Sequence, residues 1–263
     1  MPSSDFAWDI TGSSAVLTFT RPDARNALTW DMYAALDRAC EAADQDDRIR
    51  VLIIRGSGGA FAAGTDIAQF SSFASGADGV AYERRLDALV DRLERVRVPT
   101  IAEVDGPAVG GGCLIAAVCD LRICSDRARF GVPVARTLGN CLSLANTARL
   151  ADLVGTGRVR DLLLTGRLVD AEEALAIGLA TKVVSVEQLE ATVRALAGEL
   201  STRATSTVEA TKEMMIRLRA HRTPPGGAED IIERCYGSAQ FREGVAAFRE
   251  GRKPDFTKAS KPS

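Results

Sequence analysis

Residues able to steady a developing negative charge are the most telling feature of this chain. Gly110, Gly111 and Gly112 lie between residues 100–104, which read as an apolar strand, and an apolar run that reads as a helix. Glycine lets backbone approach a ligand closely and takes up dihedral angles that other residues avoid. Free N–H groups at a helix start, with the helix dipole behind them, favour an oxygen that is becoming an anion. A tight strand-to-helix turn would use the same residues. A phosphate loop would not, because no Lys-Ser or Lys-Thr pair follows the glycines. About 45 residues earlier, the strand-like residues 51–55 run into a second glycine-bearing stretch, residues 56–67. Two such strand-to-loop junctions could each aim one N–H at a single oxygen.

A sheet must hold those junctions. Residues 15–20, 51–55, 100–104 and 121–125 read as short strands, and residues 29–43 as a helix with Thr29 as N-cap and Asp31 in its first turn. Strands alternating with helical segments imply parallel pairing through right-handed crossovers. Ligands bind beyond the strand ends of such sheets. Residues 71–79 read as a mobile loop or a broken helix, ahead of an amphipathic helix over residues 82–95. Beyond Leu142 the pattern turns mostly helical. Asp170 and Glu173 form a capping box, and Gly178 suits the stop. Further helices are predicted over residues 186–200, 205–220, 228–235 and 238–250, with Pro224, Pro225, Gly226 and Gly227 parting the last two from what precedes them. The chain reads as an α/β half followed by an α half, without internal repeats.

Composition narrows the function classes. With 263 residues the chain can build one large domain, or a core domain with a small extension. Its 46% hydrophobic and 26% charged residues are those of an ordinary globular protein. A net charge of −2 supplies no broad cationic field, so nucleic acid is not an expected partner. No apolar run is long enough to span a membrane, and the N-terminus lacks the plan of a secretory signal. A cytoplasmic location is expected. Six cysteines without CxxC pairs read as reduced thiols rather than disulfides or a zinc site. The one histidine, His221, reads as a surface residue, which leaves no His-centred metal site or triad.

Residues 61–67, Phe-Ala-Ala-Gly-Thr-Asp-Ile, and residues 105–113, Asp-Gly-Pro-Ala-Val-Gly-Gly-Gly-Cys, resemble the two signature segments of the crotonase superfamily, the enoyl-CoA hydratase/isomerase family. Residues 21–28, 163–184 and 240–254 are similar to other segments of that family, in the family's order, so the resemblance covers nearly the whole chain. It implies a crotonase-like ββα spiral core over residues 1–200 and a helical C-terminal trimerisation region over residues 201–263. It also implies an acyl-CoA thioester as ligand, with coenzyme A as part of the substrate and no other cofactor, and assembly as a homotrimer or a dimer of trimers.

Carried over position by position, the resemblance makes the backbone N–H groups of Thr65 and Gly111 an oxyanion hole for a thioester oxygen turning into an enolate. It gives contacts with coenzyme A to Arg25, Ala27, Leu28, Ala63, Asp66 and Ile67. Arg25 would face phosphate, although a solvated charge is its alternative. Asp66 reads as a residue that holds the loop. Family hydratases use two glutamates as acid and base; the matching residues here are Leu114 and, in Phe130-Gly131-Val132-Pro133-Val134, the final Val134. A positioned acid or base is worth about 10²–10⁴ in rate, so ordinary hydration should be nearly lost. Residues 135–146 depart from the family's glycine-rich stretch and offer Arg136, Asn140, Cys141 and Ser143. Arg136 or Asn140 could meet a polar acyl group, whereas Cys141 as a nucleophile would need a depressed pKa. Packing is the alternative for each. Glu103, a charge in an apolar strand, reads as outward-facing or paired, or else as a recruited base. Three readings stay open: an enzyme with non-standard acid/base residues, a malonyl-type decarboxylase or thioester hydrolase that needs no carboxylate base, and a silent acyl-CoA binder.

Overall fold

The structure, a computed structural model, describes residues 5–220 and 227–256. His221 and residues 224–226, which figure in the sequence reading, lie outside them. Two strands open the chain, β1 (Phe6–Thr11) and β2 (Ser14–Phe19), joined by a two-residue turn into an antiparallel hairpin. The sequence reading found β2 and missed β1, whose residues point outward for most of its length at the sheet edge. Phe6, Trp8 and Ile10 alternate with Ala7, Asp9 and Thr11, a period-two signal that the sequence reading passed over.

From β2 the sheet continues through β3 (Val51–Gly56), β4 (Thr100–Val104), β6 (Leu121–Ser125) and β9 (Lys182–Val184), each parallel to its neighbour. Between β4 and β6 run β5 (Pro107–Val109) and helix α3 (Gly111–Val118). With β7 (Arg129–Gly131) and β8 (Val169–Asp170), β5 makes a second, three-stranded sheet. Strand β3 shows why these segments read as unbroken apolar runs, since both faces are buried. Leu52 and Ile54 join the main core, and Val51 and Ile53 a smaller one.

The main core is covered by α1 (Trp30–Gln45), α2 (Gly76–Glu94) and α3. The Thr29 side chain caps α1 as expected, accepting from Met32 N–H at 3.3 Å. The smaller core lies beneath α8 (Val186–Ser201), through Leu189, Val193 and Ala197. After β7 come α4 (Val134–Thr137), α5 (Leu144–Val154), α6 (Thr156–Thr165) and α7 (Ala171–Ala176), the last capped by Asp170, which accepts from Glu173 N–H at 2.9 Å. Helices α9 (Thr205–Ala220), α10 (Glu229–Tyr236) and α11 (Ala239–Arg249) follow, within a residue or so of the expected bounds.

Residues 71–79 take the broken-helix alternative: a 3-10 helix over Ile67–Ser72 gives way to α2. Helix α2 begins at Gly76 rather than at residue 82. Asp78 fixes that start by accepting from the Ala74 and Ser75 N–H groups at 2.9 and 2.8 Å. The first turn is anchored by α10, which packs along it: a β-carbon on Gly79 would lie 2.1 Å from Tyr236 Cγ. Glycine is required there because a neighbouring helix occupies the space of a side chain.

Candidate active site

The two glycine-bearing junctions come together at the ends of β3 and β4. Single parallel bridges join Leu28 to Thr65 and Ala62 to Ala108, so three chain segments lie side by side. A methyl group placed on Gly110 would lie 3.5 Å from Gly64 Cα, and one on Gly111 3.3 Å from Thr65 Oγ1. Gly110 adopts φ +54°, ψ −122°, a conformation that side chains oppose, and so turns the chain from β5 into α3. Neither Thr65 N–H nor Gly111 N–H has a backbone acceptor among the described residues. Gly111 is the first residue of α3, where the N–H lacks an intrahelical partner in any helix. Around Thr65 runs a chain of hydroxyls, with Tyr33 OH 2.8 Å and Tyr82 OH 2.7 Å from its Oγ1. Burial raises the pKa of both phenols, so they remain neutral.

A cavity of about 220 Å³ opens beside the junction. One wall carries Gly64, Thr65, Gly110 and Gly111; Leu114, Val132, Val134 and Leu138 make it apolar. The positions matched to the two family glutamates therefore both face the cavity, and both are hydrocarbon. Of the acyl-pocket candidates, Asn140 lines the cavity; Arg136 is exposed on α4 and Cys141 lies against Cys235, and neither is among the lining residues.

On the CoA side, the backbone groups of the expected residues are woven into the junction. Leu28 N–H donates to Gly64 O at 2.8 Å, Asp66 N–H to Leu28 O at 2.9 Å, and Ala63 N–H to Arg25 O at 3.0 Å. Asp66 caps the 3-10 helix, accepting from Ala68 N–H at 3.1 Å, and is gripped by Arg21 at 3.1 Å. The Arg25 side chain is exposed beside them, and Ile67 is half-buried where the 3-10 helix begins. Glu103 sits on the opposite face of the sheet, 3.7 Å from Arg55, in a groove under α8.

Sequence reasoning missed one lining residue, Glu83. It is 2% exposed, yet it is a carboxyl group in the cavity wall. Tyr236 OH donates to its Oε1 at 2.5 Å and Ser143 N–H to its Oε2 at 3.0 Å. Burial, aided by the carboxyl of Asp87 one turn along α2, pushes its pKa up to about 8 against the pull of those donors. Asn140 Nδ2 donates to Tyr236 OH at 3.0 Å, and Asn140 Oδ1 is buried with no donor among the described residues. One acid among five in an amphipathic helix is the only trace of this group in the sequence, and many solvated glutamates leave the same trace.

The enoyl-CoA hydratase/isomerase family model matches residues 9–259. The chain belongs to the enoyl-CoA hydratase/isomerase family. A crotonyl-CoA hydratase from Syntrophomonas wolfei is 36% identical over 255 residues, spanning 92% of this chain and 94% of its own. Two solved structures show that the family's fold is shared. An enoyl-CoA hydratase/carnithine racemase from Magnetospirillum magneticum matches at TM-score 0.78 and 33% identity, covering 96% of this chain and 95% of its own. A methylmalonyl-CoA decarboxylase bound to 2-nitronate-propionyl-CoA matches at TM-score 0.88 and 28% identity, covering 96% and 98%. Both segments that carried the resemblance, residues 61–67 and 105–113, lie at the junction beside the cavity in this family member. Among the described residues, no helix is long and apolar enough to cross a membrane.

Proposed function

We propose that this protein binds an acyl-CoA thioester and stabilises its enolate between the N–H groups of Thr65 and Gly111. The observation that carries the reading is the convergence of two strand-to-loop junctions whose amides lack backbone acceptors, at the wall of a cavity. An enolate oxygen there would meet two donors that need no reorganisation, and one such donor is typically worth about 2.7–4 kcal/mol. Arg25, Ala27, Leu28, Ala63, Asp66 and Ile67 would flank the coenzyme A. Coenzyme A belongs to the substrate, and no further cofactor is called for. Leu114 and Val134 make ordinary two-glutamate hydration a poor fit. Decarboxylation of a malonyl-type thioester is the reading favoured next: it reaches the enolate without a base, and the likeness to a methylmalonyl-CoA decarboxylase supports it. Family resemblance and the exposed Met214, Met215 and Leu218 on α9 support a trimer or a dimer of trimers, built through residues 201–263 around a core over residues 1–200.

The test is acetoacetyl-CoA, whose enolate absorbs in the ultraviolet where the keto form does not. Binding should bring up the enolate band, while crotonyl-CoA should be hydrated only slowly. Gly111→Pro removes one N–H at a helix position that tolerates proline. Tyr33→Phe must accompany it, because a β-carbon at Gly111 would lie 2.5 Å from Tyr33 OH. Relative to Tyr33→Phe alone, the double variant should lose the band by about 10²–10³-fold in apparent enolate affinity. An equal band in both would sink the oxyanion hole.

A further inference from the structure

We propose that Glu83 is the acid/base group of this cavity, exchanging a proton with the α-carbon of the bound thioester in place of the carboxylates absent at Leu114 and Val134. The inference rests on the enolate reading above and adds the group that reading lacks.

Glu83 is the one Asp or Glu among the residues lining the cavity of Thr65 and Gly111. Its position is fixed from three directions. Helix α2 carries it, α10 brings Tyr236 OH to Oε1, and the loop after α4 brings Ser143 N–H to Oε2. Tyr236 is held in turn by Asn140 and by packing against Phe241, with ring centroids 4.8 Å apart. Both carboxyl oxygens thus accept hydrogen bonds from the protein. When the group is protonated, its O–H can turn to the Tyr236 oxygen or to a ligand in the cavity, while Ser143 N–H holds the other oxygen. A solvated surface glutamate would be neither buried nor held in this way.

The proton balance closes with water as the only other proton source. In the forward direction the Glu83 carboxylate takes the α-proton. The C–H electron pair becomes the enolate C=C bond, and the thioester C=O pair moves to the oxygen held by the two N–H groups. In reverse, Glu83 returns a proton to carbon and the thioester re-forms. With a malonyl-type substrate the C–C pair supplies the enolate as CO₂ leaves. Protonated Glu83 then delivers its proton to carbon and is recharged from water.

The experiment is solvent deuterium exchange at the α-carbon of butyryl-CoA, followed by mass spectrometry, beside the acetoacetyl-CoA enolate band. Wild-type protein should catalyse exchange, and Glu83→Gln should lose it by about 10²–10⁴-fold while keeping the band. The groups that face Glu83 are Tyr82 and Asp87 on its own helix, Cys235 and Tyr236 on α10, Cys141 on the loop and Tyr33 on α1. Exchange needs the carboxylate, so its rate should climb with pH toward a plateau above about 8. Tyr236→Phe keeps the ring but removes a hydrogen bond that favours the carboxylate, and should move that rise to higher pH. A merely structural role for Glu83 would leave the pH profile where it was. Exchange by Glu83→Gln at the wild-type rate, or an enolate band in wild type without exchange, overturns the proposal. Absence of the band from wild type instead overturns the oxyanion reading beneath it.

Discussion

The two ends of the cavity are built on opposite principles. At the junction end the chemistry belongs to the backbone: N–H groups of Thr65 and Gly111, set by bridges between β-segments and by a glycine at φ +54°. At the far end it belongs to side chains: a buried carboxyl, a phenol and an amide, brought together by α2, α10 and the loop after α4. Backbone donors keep one charge state at every pH, so the junction as proposed would stabilise an enolate but could not supply or remove a proton. Glu83 can do both, because burial raises its pKa toward neutrality rather than abolishing its ionisation. The comparison teaches that two hydrocarbon residues at the family's acid positions do not leave the cavity without a titratable group.

The change expected to act most strongly puts acids back at the family's positions. Leu114 and Val134 both line the cavity. Leu114→Glu with Val134→Glu should raise crotonyl-CoA hydration by about 10²–10⁴-fold, read as loss of the conjugated-thioester absorbance. An unchanged rate, with the fold and the enolate band retained, would show that this cavity presents its substrate to another wall. The distinction between the ends would then shift toward Glu83.

That contrast also explains what the sequence disclosed. The junction end is written in short contiguous segments, residues 61–67 and 105–113, whose glycines report backbone geometry directly. The parallel strands were legible for a related reason: β3 is buried on both faces, so its residues are apolar without interruption. Strand β1 was equally legible, with Phe6, Trp8 and Ile10 alternating with Ala7, Asp9 and Thr11, and was overlooked. The far end was hidden more deeply. Glu83 and Tyr236 are 153 residues apart in the chain and meet only because α10 packs against the first turn of α2. No local pattern records such a meeting. Helix α2 was expected to begin at residue 82, which placed Glu83 in a fraying first turn rather than on a packed helical face.

A smaller effect should appear in stability, and its sign follows from proton binding. In the unfolded chain a glutamate releases its proton near pH 4.3. In the folded protein Glu83 holds it to about pH 8. Between those values the folded state binds more protons, so stability falls as pH rises and is fully diminished above the folded pKa; below the unfolded value the penalty is absent. Wild-type protein should lose on the order of a few kcal/mol across that window. Glu83→Gln should lose less, with Asp87, whose pKa is also raised by burial, supplying part of the remaining slope. Urea midpoints near pH 5 and near pH 8 measure both. Equal slopes would mean that Glu83 titrates as a solvated acid and that the far end is wet.

The mildest expected change tests whether the junction end is a backbone device at all. Thr65→Val keeps the side-chain shape and the N–H but deletes the oxygen between Tyr33 OH and Tyr82 OH, at 2.8 and 2.7 Å. Two buried phenols then lose their shared partner, at a cost of about 1–3 kcal/mol in stability. The enolate band of acetoacetyl-CoA should weaken by less than about tenfold if, as proposed, the amide rather than the hydroxyl meets the oxygen. A loss as large as that from removing the Gly111 N–H would place the Thr65 hydroxyl itself on the enolate. The junction would then share the side-chain logic of the far end, and the two halves of the cavity would differ only in which of them carries the titratable group.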